Sequence, residues 1–183
     1  MHTTTFTPWC MVAVTGDRAR NFLQGQLTAD IDKIDAKQAL PFCYCNKKGR
    51  VITLGWVLCW HGSYALLLPK AHLSHCLDKI ALVAKLSRIT LQPQDDMTLW
   101  VTHQPNTTTG TCQQHNTMHS MALFEHGNLA LCLTPNASEA EPSPALTHDA
   151  WQAHCIQHGW PLLDTPHLEA FTPQMLNAIE LGM

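Results

Sequence analysis

Two apolar runs face each other across a polar turn. Residues 40–46 (LPFCYCN) and 50–59 (RVITLGWVLC) are rich in β-branched and aromatic side chains, and Asn46-Lys47-Lys48-Gly49 lies between them. This pattern commits the segment to a β-hairpin: the runs suit pleated strands, and the loop supplies a glycine for positive φ. Similar signals surround it. Residues 9–15 (WCMVAVT), 63–69 (SYALLLP, after a His61-Gly62 turn) and 88–94 (RITLQPQ) read as strands. Along 18–31, Ala19, Phe22, Leu23, Leu27 and Ile31 recur at spacings of three and four. That periodicity predicts an amphipathic helix, with Asp17 as its N-cap or first-turn acid. Gly25 inside it costs about 1 kcal/mol against alanine, which asks for a reason such as close approach of another backbone or a ligand. A second helix is predicted over 71–86, with Leu73, Leu77, Ile80 and Ala84 on one face. The order β-α-β-β-β-α-β predicts an α+β fold, a ferredoxin-like antiparallel sheet with helices on one face, over residues 1–94.

A second unit is expected over 95–183, beginning at Asp95-Asp96. MTLWVTH (97–103) reads as a strand, 104–118 as a polar loop, and MALFEHGNLALCL (121–133) as a hairpin turning at 126–128. Residues 134–147 read as a linker, and HDAWQAHCIQHGW (148–160) as a helix ended by Gly159 with Pro161 just beyond. After it the chain is expected to be extended. The chain has 183 residues, 45% hydrophobic and 14% charged, with a net charge of -3, which suits a folded core and not a disordered chain. KKGR at 47–50 is its only cationic cluster, so broad binding to nucleic-acid phosphates is not indicated. No run reaches the roughly 18 apolar residues of a membrane span, and the N-terminus lacks a signal-peptide pattern. Eight cysteines in a chain of this size without an export signal read as reduced cytosolic thiols.

Twelve histidines and eight cysteines invite a metal reading. His154 and His158 stand at i, i+4 on a predicted helix; Cys112, His115 and His119 share a loop; His72, His75 and Cys76 cluster at a helix start; Cys43 and Cys45 share a strand face. None makes a complete tetrahedral set. Two other features carry more. Gln24 and Gln26 flank Gly25 with amides that both donate and accept, and NKKGR (46–50) holds three cations. Amides and cations together suit a ligand with hydrogen-bonding ring edges and carboxylates. The plainer reading is an exposed helix and a solvated turn.

VTGDRARNFLQGQLTADI followed by CNKKGRVI, with GWPLLD (159–164) and FTPQMLN (171–177) later, resembles the YgfZ family of folate-binding proteins, relatives of the glycine-cleavage aminomethyltransferase or T-protein. The resemblance covers nearly the whole chain. It implies a tetrahydrofolate binder that supports iron–sulfur enzymes, including those that modify tRNA by thiolation, and a T-protein-like fold of two α+β units plus a C-terminal barrel around a folate channel. It implies folate-binding roles for Gln24, Gln26, Thr28, Asn46, Lys48, Arg50, Gln157, Gln174 and Asn177, with Gly25, Asp30, Gly49 and Pro173 also matching the motifs. The departures are informative. Where the transferases carry an Asp-Asp pair, this chain has Thr53 and Leu54, and leucine cannot hold a proton, so aminomethyl transfer is not expected. Gln157 replaces an expected glutamate and gives up a charge-assisted hydrogen bond. The family's K-G-C-Y-x-G-Q-E segment and the barrel are absent from this sequence, which implies a shortened chain and faces for a partner or a second copy to cover. The competing readings are a metal-binding module and a fragment that keeps the fold without its ligand.

Overall fold

The computed structural model describes residues 9–103, 111–115, 118–122, 129–135 and 146–183. β1 (Trp9–Thr15), α1 (Ala19–Gln26), β2 (Leu40–Cys45), β3 (Val51–Trp60), β4 (Ser63–Pro69), α2 (Leu73–Leu86) and β5 (Thr90–Pro93) follow in the expected order. The strands form one five-stranded antiparallel sheet in the order β2-β3-β4-β1-β5. Removing β2 leaves the strand order of a ferredoxin-like sheet, so β2 is an added edge strand.

The period of two along the strands divides this sheet between two cores, with β3 changing phase at Ile52, where its register against β2 shifts. Val12, Val14, Leu66, Leu68, Ile52 and Val57 face α1 and α2, where Phe22, Leu23, Ile80 and Ala84 cover them. Both helices thus lie on one face. Trp9, Met11, Leu54, Trp56, Leu58, Ala65 and Leu67 face the other way. There they meet a second antiparallel sheet of β6 (Met97–His103), β7 (Cys112–His115), β8 (Met118–Ala122) and β9 (Leu129–Pro135), in the order β6-β9-β8-β7. Leu99, Val101, Met121, Leu131 and Leu133 fill that interface, with Trp151 and Cys155 of α3 (His148–Gln157) and Trp160 beyond it. Burial on both faces explains why β3 reads as an unbroken apolar run. Gly55 sits in its middle because a side chain there would strike the Leu67 carbonyl oxygen of β4. The two sheets meet at residues 94–96, and one core runs across that junction.

Several expectations are corrected. α1 stops at Gln26, five residues short of the predicted end. Leu27 turns to extended backbone (φ -104°, ψ 157°) and bridges to Tyr44 of β2. Leu27 and Ile31 kept the helical spacing because both are buried in the same core, Ile31 from a short 3-10 turn (Ile31–Lys33). Arg18, not Asp17, takes the N-cap position, and no side chain caps it. Gly25 has open space where a side chain would stand, so no backbone approaches it. Residues 112–115 are strand β7, not loop, since β8 offers them a pairing edge. The 126–128 turn and most of the 134–147 linker lie outside the described residues; β9 reaches Pro135, and the Leu146 N–H donates to the Val101 carbonyl at 3.0 Å.

α3 is capped by Thr147, whose hydroxyl accepts the Ala150 N–H, and it ends with Gly159 at φ +66°, a left-handed position suited to glycine. The segment after it is not a free extended tail. Short 3-10 turns at Thr165–His167 and Pro173–Leu176 fold it back across the β2–β3 hairpin. Val51 of β3 donates to the Phe171 carbonyl and accepts from the Glu169 N–H, both at 2.8 Å. A strand start that would otherwise leave its peptide groups unpaired is completed by the tail.

Candidate functional site

The hairpin turn is built by Asn46. Its Oδ1 accepts the N–H groups of Lys48 (2.8 Å) and Arg50 (3.1 Å), the local hydrogen bonding that makes asparagine a turn residue. This leaves its amide NH2 free to donate to Glu169 Oε2 at 2.6 Å. Glu169 Oε1 also accepts from Lys79 Nζ (2.7 Å) and His75 Nε2 (2.9 Å) of α2. One carboxylate therefore joins hairpin, helix and tail. Lys79, Asn46 and His75, in that order, hold its carboxyl down from the ordinary 4.5 to about 2. Glu169 does this from a left-handed backbone position (φ +61°), uncommon outside glycine, asparagine and aspartate. Arg50 extends the clamp by donating from Nη1 to the Ala170 carbonyl at 2.9 Å.

The glutamine motif serves local structure first. Gln24 Oε1 accepts the Ile31 N–H at 2.7 Å and fastens the turn that follows α1. Gln26 Nε2 donates to the Gly25 carbonyl at 3.1 Å. The Thr28 hydroxyl accepts the Cys43 N–H at 2.8 Å, while its own N–H donates to the Cys43 carbonyl, tying the end of α1 to β2. Gln157 is exposed at the end of α3, Gln174 is exposed in the tail, and Asn177 (φ +58°) turns its amide nitrogen toward Gly159. The fold thus brings Asn46 and Arg50 together with the tail and sets Asn177 beside the end of α3. It gives the Gln24–Gln26 pair no contact with them.

A different group walls a pocket. Trp9, Pro69, Lys70, Ala71, Trp151 and Trp160, with the segment 161–164, enclose about 260 Å³ between β1, β4, α3 and the tail. The rings of Trp9 and Trp151 meet edge to face (centroids 6.0 Å), and Trp160 stacks on Trp56 at 5.6 Å. Lys70, His148 and Asp164 bring ionisable groups to a lining that is mainly apolar. Trp9 is 4% exposed, and its indole N–H is buried with no hydrogen-bond partner among the described residues. A buried donor left unpaired is uncommon. None of the nine motif residues lines this pocket. Sequence reasoning missed the three tryptophans because Trp9 lies far in the chain from Trp151 and Trp160 and they carry no common spacing. It missed Glu169 as well, although a carboxylate just before FTPQMLN, opposite a cationic hairpin, was a visible signal.

Behind the pocket, His72 is buried at 1% exposure. Its Nε2 lies 2.8 Å from the Leu163 carbonyl and its Nδ1 3.0 Å from the Thr53 hydroxyl. Burial lowers its pKa, partly opposed by the hydrogen bond to Leu163. Leu54, the neighbour of Thr53, is packed in the core. No three His, Cys, Asp or Glu side chains among the described residues are placed to hold an ion, and the side chains of His115 and His119 lie outside that description. His75 is spent on Glu169, His72 on Thr53 and Leu163, and Cys76 is buried against the α2 core. No helix among the described residues is long and apolar enough to cross a membrane.

No family model matches the chain. Among curated proteins it is similar to the tRNA-modifying protein YgfZ of Klebsiella pneumoniae, at 25% identity over 97% of this chain and 61% of that protein. The YgfZ proteins of Vibrio atlanticus (24%, covering 95% of this chain and 57% of that protein) and Yersinia pseudotuberculosis (26%, 92% and 57%) are similar to the same degree. The chain thus spans about three fifths of the length of these relatives. Among solved structures, the glycine cleavage system aminomethyltransferase T of Bartonella henselae superposes with a TM-score of 0.60 at 10% identity, over 72% of this chain and 41% of that one. The chain is YgfZ-like in sequence and has the fold of the aminomethyltransferase T-protein.

Proposed function

We propose that the chain is the folate-binding part of a YgfZ-like accessory protein that supports iron–sulfur enzymes and, through them, tRNA modification. The observation that supports this best is the tryptophan-lined pocket. Indole faces stack on flat heteroaromatic rings, and the mainly apolar lining suits such a ring. At about 260 Å³ the pocket lies just below the usual range of roughly 300–1,000 Å³, so it takes one ring system of a folate, not the whole molecule. Lys70 would attract a carboxylate at the mouth. His75 and Lys79 of α2 meet Glu169, which also holds Asn46 of the hairpin, and this side would face the rest of a folate. Asn46, Lys48, Arg50, Gln174 and Asn177 are proposed for that outer part, with Gln24, Gln26, Thr28 and Gln157 further out.

The role is binding, not aminomethyl transfer, because Thr53 and Leu54 offer no carboxylate for proton transfer. A reducing cytoplasm fits the eight free thiols. Client enzymes, or a second copy of the chain, would cover exposed Ile156, Leu162, Met175 and Ile179. Calorimetric titration with 5-formyltetrahydrofolate, alongside tryptophan fluorescence, tests the reading. Saturable binding with quenching is expected, weakened about tenfold by Lys70→Ala. Neither heat nor quenching at millimolar ligand would refute it.

A further inference from the structure

Thr53, His72 and Leu163 form one hydrogen-bonded line behind the tryptophan pocket. A carbonyl oxygen only accepts, so the ring nitrogen facing Leu163 must carry the proton: Nε2 donates at 2.8 Å. In the neutral ring Nδ1 is then an acceptor, and the Thr53 hydroxyl donates to it at 3.0 Å in preference to the Leu54 carbonyl at 3.4 Å. The network thereby assigns the tautomer. Thr53, His72 and Ser120 are the buried polar side chains among the described residues, so this pair is a deliberate polar insertion in an apolar interior. Its position matters more than its energy. Lys70 and Ala71, just before His72, line the pocket, and so do Leu163 and Asp164. The imidazole spans from one pair to the other.

We propose that His72 is a positioning residue of the pocket: oriented by Thr53, it clips the segment Leu163–Asp164 to the β4–α2 corner and so fixes the distance between the walls that a planar ring must enter. This rests on the reading of the pocket as the ligand site. The walls come from segments about ninety residues apart. Apolar burial is non-directional, whereas a hydrogen bond fixes both distance and angle.

Thr53→Val keeps the shape and removes the donor; Thr53→Ser restores it. In 15N NMR of the wild-type protein, His72 is expected to show Nε2 protonated and Nδ1 bare at pH 7. Thr53→Val is expected to weaken 5-formyltetrahydrofolate binding about tenfold and to speed amide exchange at His167, whose N–H donates to the Asp164 carbonyl at 2.8 Å, with exchange at Glu169 unchanged. Thr53→Ser should return both to within about twofold of wild type. If the wild type binds folate and Thr53→Val binds equally well, the positioning role is refuted while the folate reading stands. If the wild type binds no folate, that reading falls, and the exchange and tautomer measurements still decide the clip. Unchanged exchange at His167, or a proton on Nδ1, would overturn it.

Discussion

Removing the Glu169 carboxylate should loosen the tail without unfolding the sheets. The side chain accepts three hydrogen bonds, from Asn46, His75 and Lys79. Hydrogen bonds to a charged group contribute about 1.5–3 kcal/mol each when well shielded. Lys79 is 42% exposed, so its share falls to the surface value of about 0–1 kcal/mol, and partners on one acceptor do not add. The net expectation for Glu169→Ala is a loss of about 2 kcal/mol, or about 4–8 °C in Tm for a chain of this length. Glu169→Gly removes the same contacts but relieves the left-handed backbone (φ +61°), so it should lose about 1 kcal/mol less. The pH dependence follows from the depressed carboxyl. A group lowered from 4.5 to about 2 stabilises the fold fully above 4.5 and loses that contribution as pH falls toward 2. The gap between wild type and Glu169→Ala should therefore be constant from pH 6 to 8 and close between pH 4.5 and 2. Urea unfolding at several pH values measures the gap, and hydrogen exchange at Val51 and Glu169 reports the clamp. If the alanine variant matched wild type within about 0.5 kcal/mol at pH 7, with Val51 still protected, the carboxylate hub would not hold the tail and the reasoning would fail.

Two glycines give opposite expectations. Gly25→Ala meets open space in a helix and should stabilise by about 0.5–1 kcal/mol, whereas Gly55→Ala drives a methyl into the Leu67 carbonyl and should cost several kcal/mol or prevent folding; thermal melts compare them. A Gly25→Ala protein that is more stable but binds folate less well would place the ligand against α1. Burial pushes the thiols of Cys10, Cys43, Cys76 and Cys155 up to about 12, so these should react slowly with a disulfide reagent at pH 8 in the native protein, and all eight should react after denaturation. Because those values lie above the ordinary 9.0, stability should fall as pH rises from 9 toward 12, which alkaline unfolding curves would show.

How far the sequence was legible depended on the range over which each signal acts. The β2–β3 hairpin, α2 and the glycine stop of α3 were readable because turn chemistry, helical spacing and capping work within a few residues. α1 was overextended because burial of Leu27 and Ile31 mimicked a helical period. β7 was missed because a strand of polar residues is recognisable only beside its partner, β8. At the site, Asn46 and Arg50 were visible as turn residues, while their tie to Glu169 and Ala170 spans more than a hundred residues and left no local trace.

The sequence by itself determined that this chain forms an α+β unit with an Asn46-centred hairpin and that it resembles the YgfZ family, because strand alternation, turn residues and motif spacing are local properties. Only the tertiary structure decided that the tail folds back on the hairpin through Glu169. It alone brought Trp9, Trp151 and Trp160 into one pocket and threaded a buried histidine behind it. Those arrangements depend on which distant surfaces the apolar core brings into contact, and a linear pattern does not encode that contact.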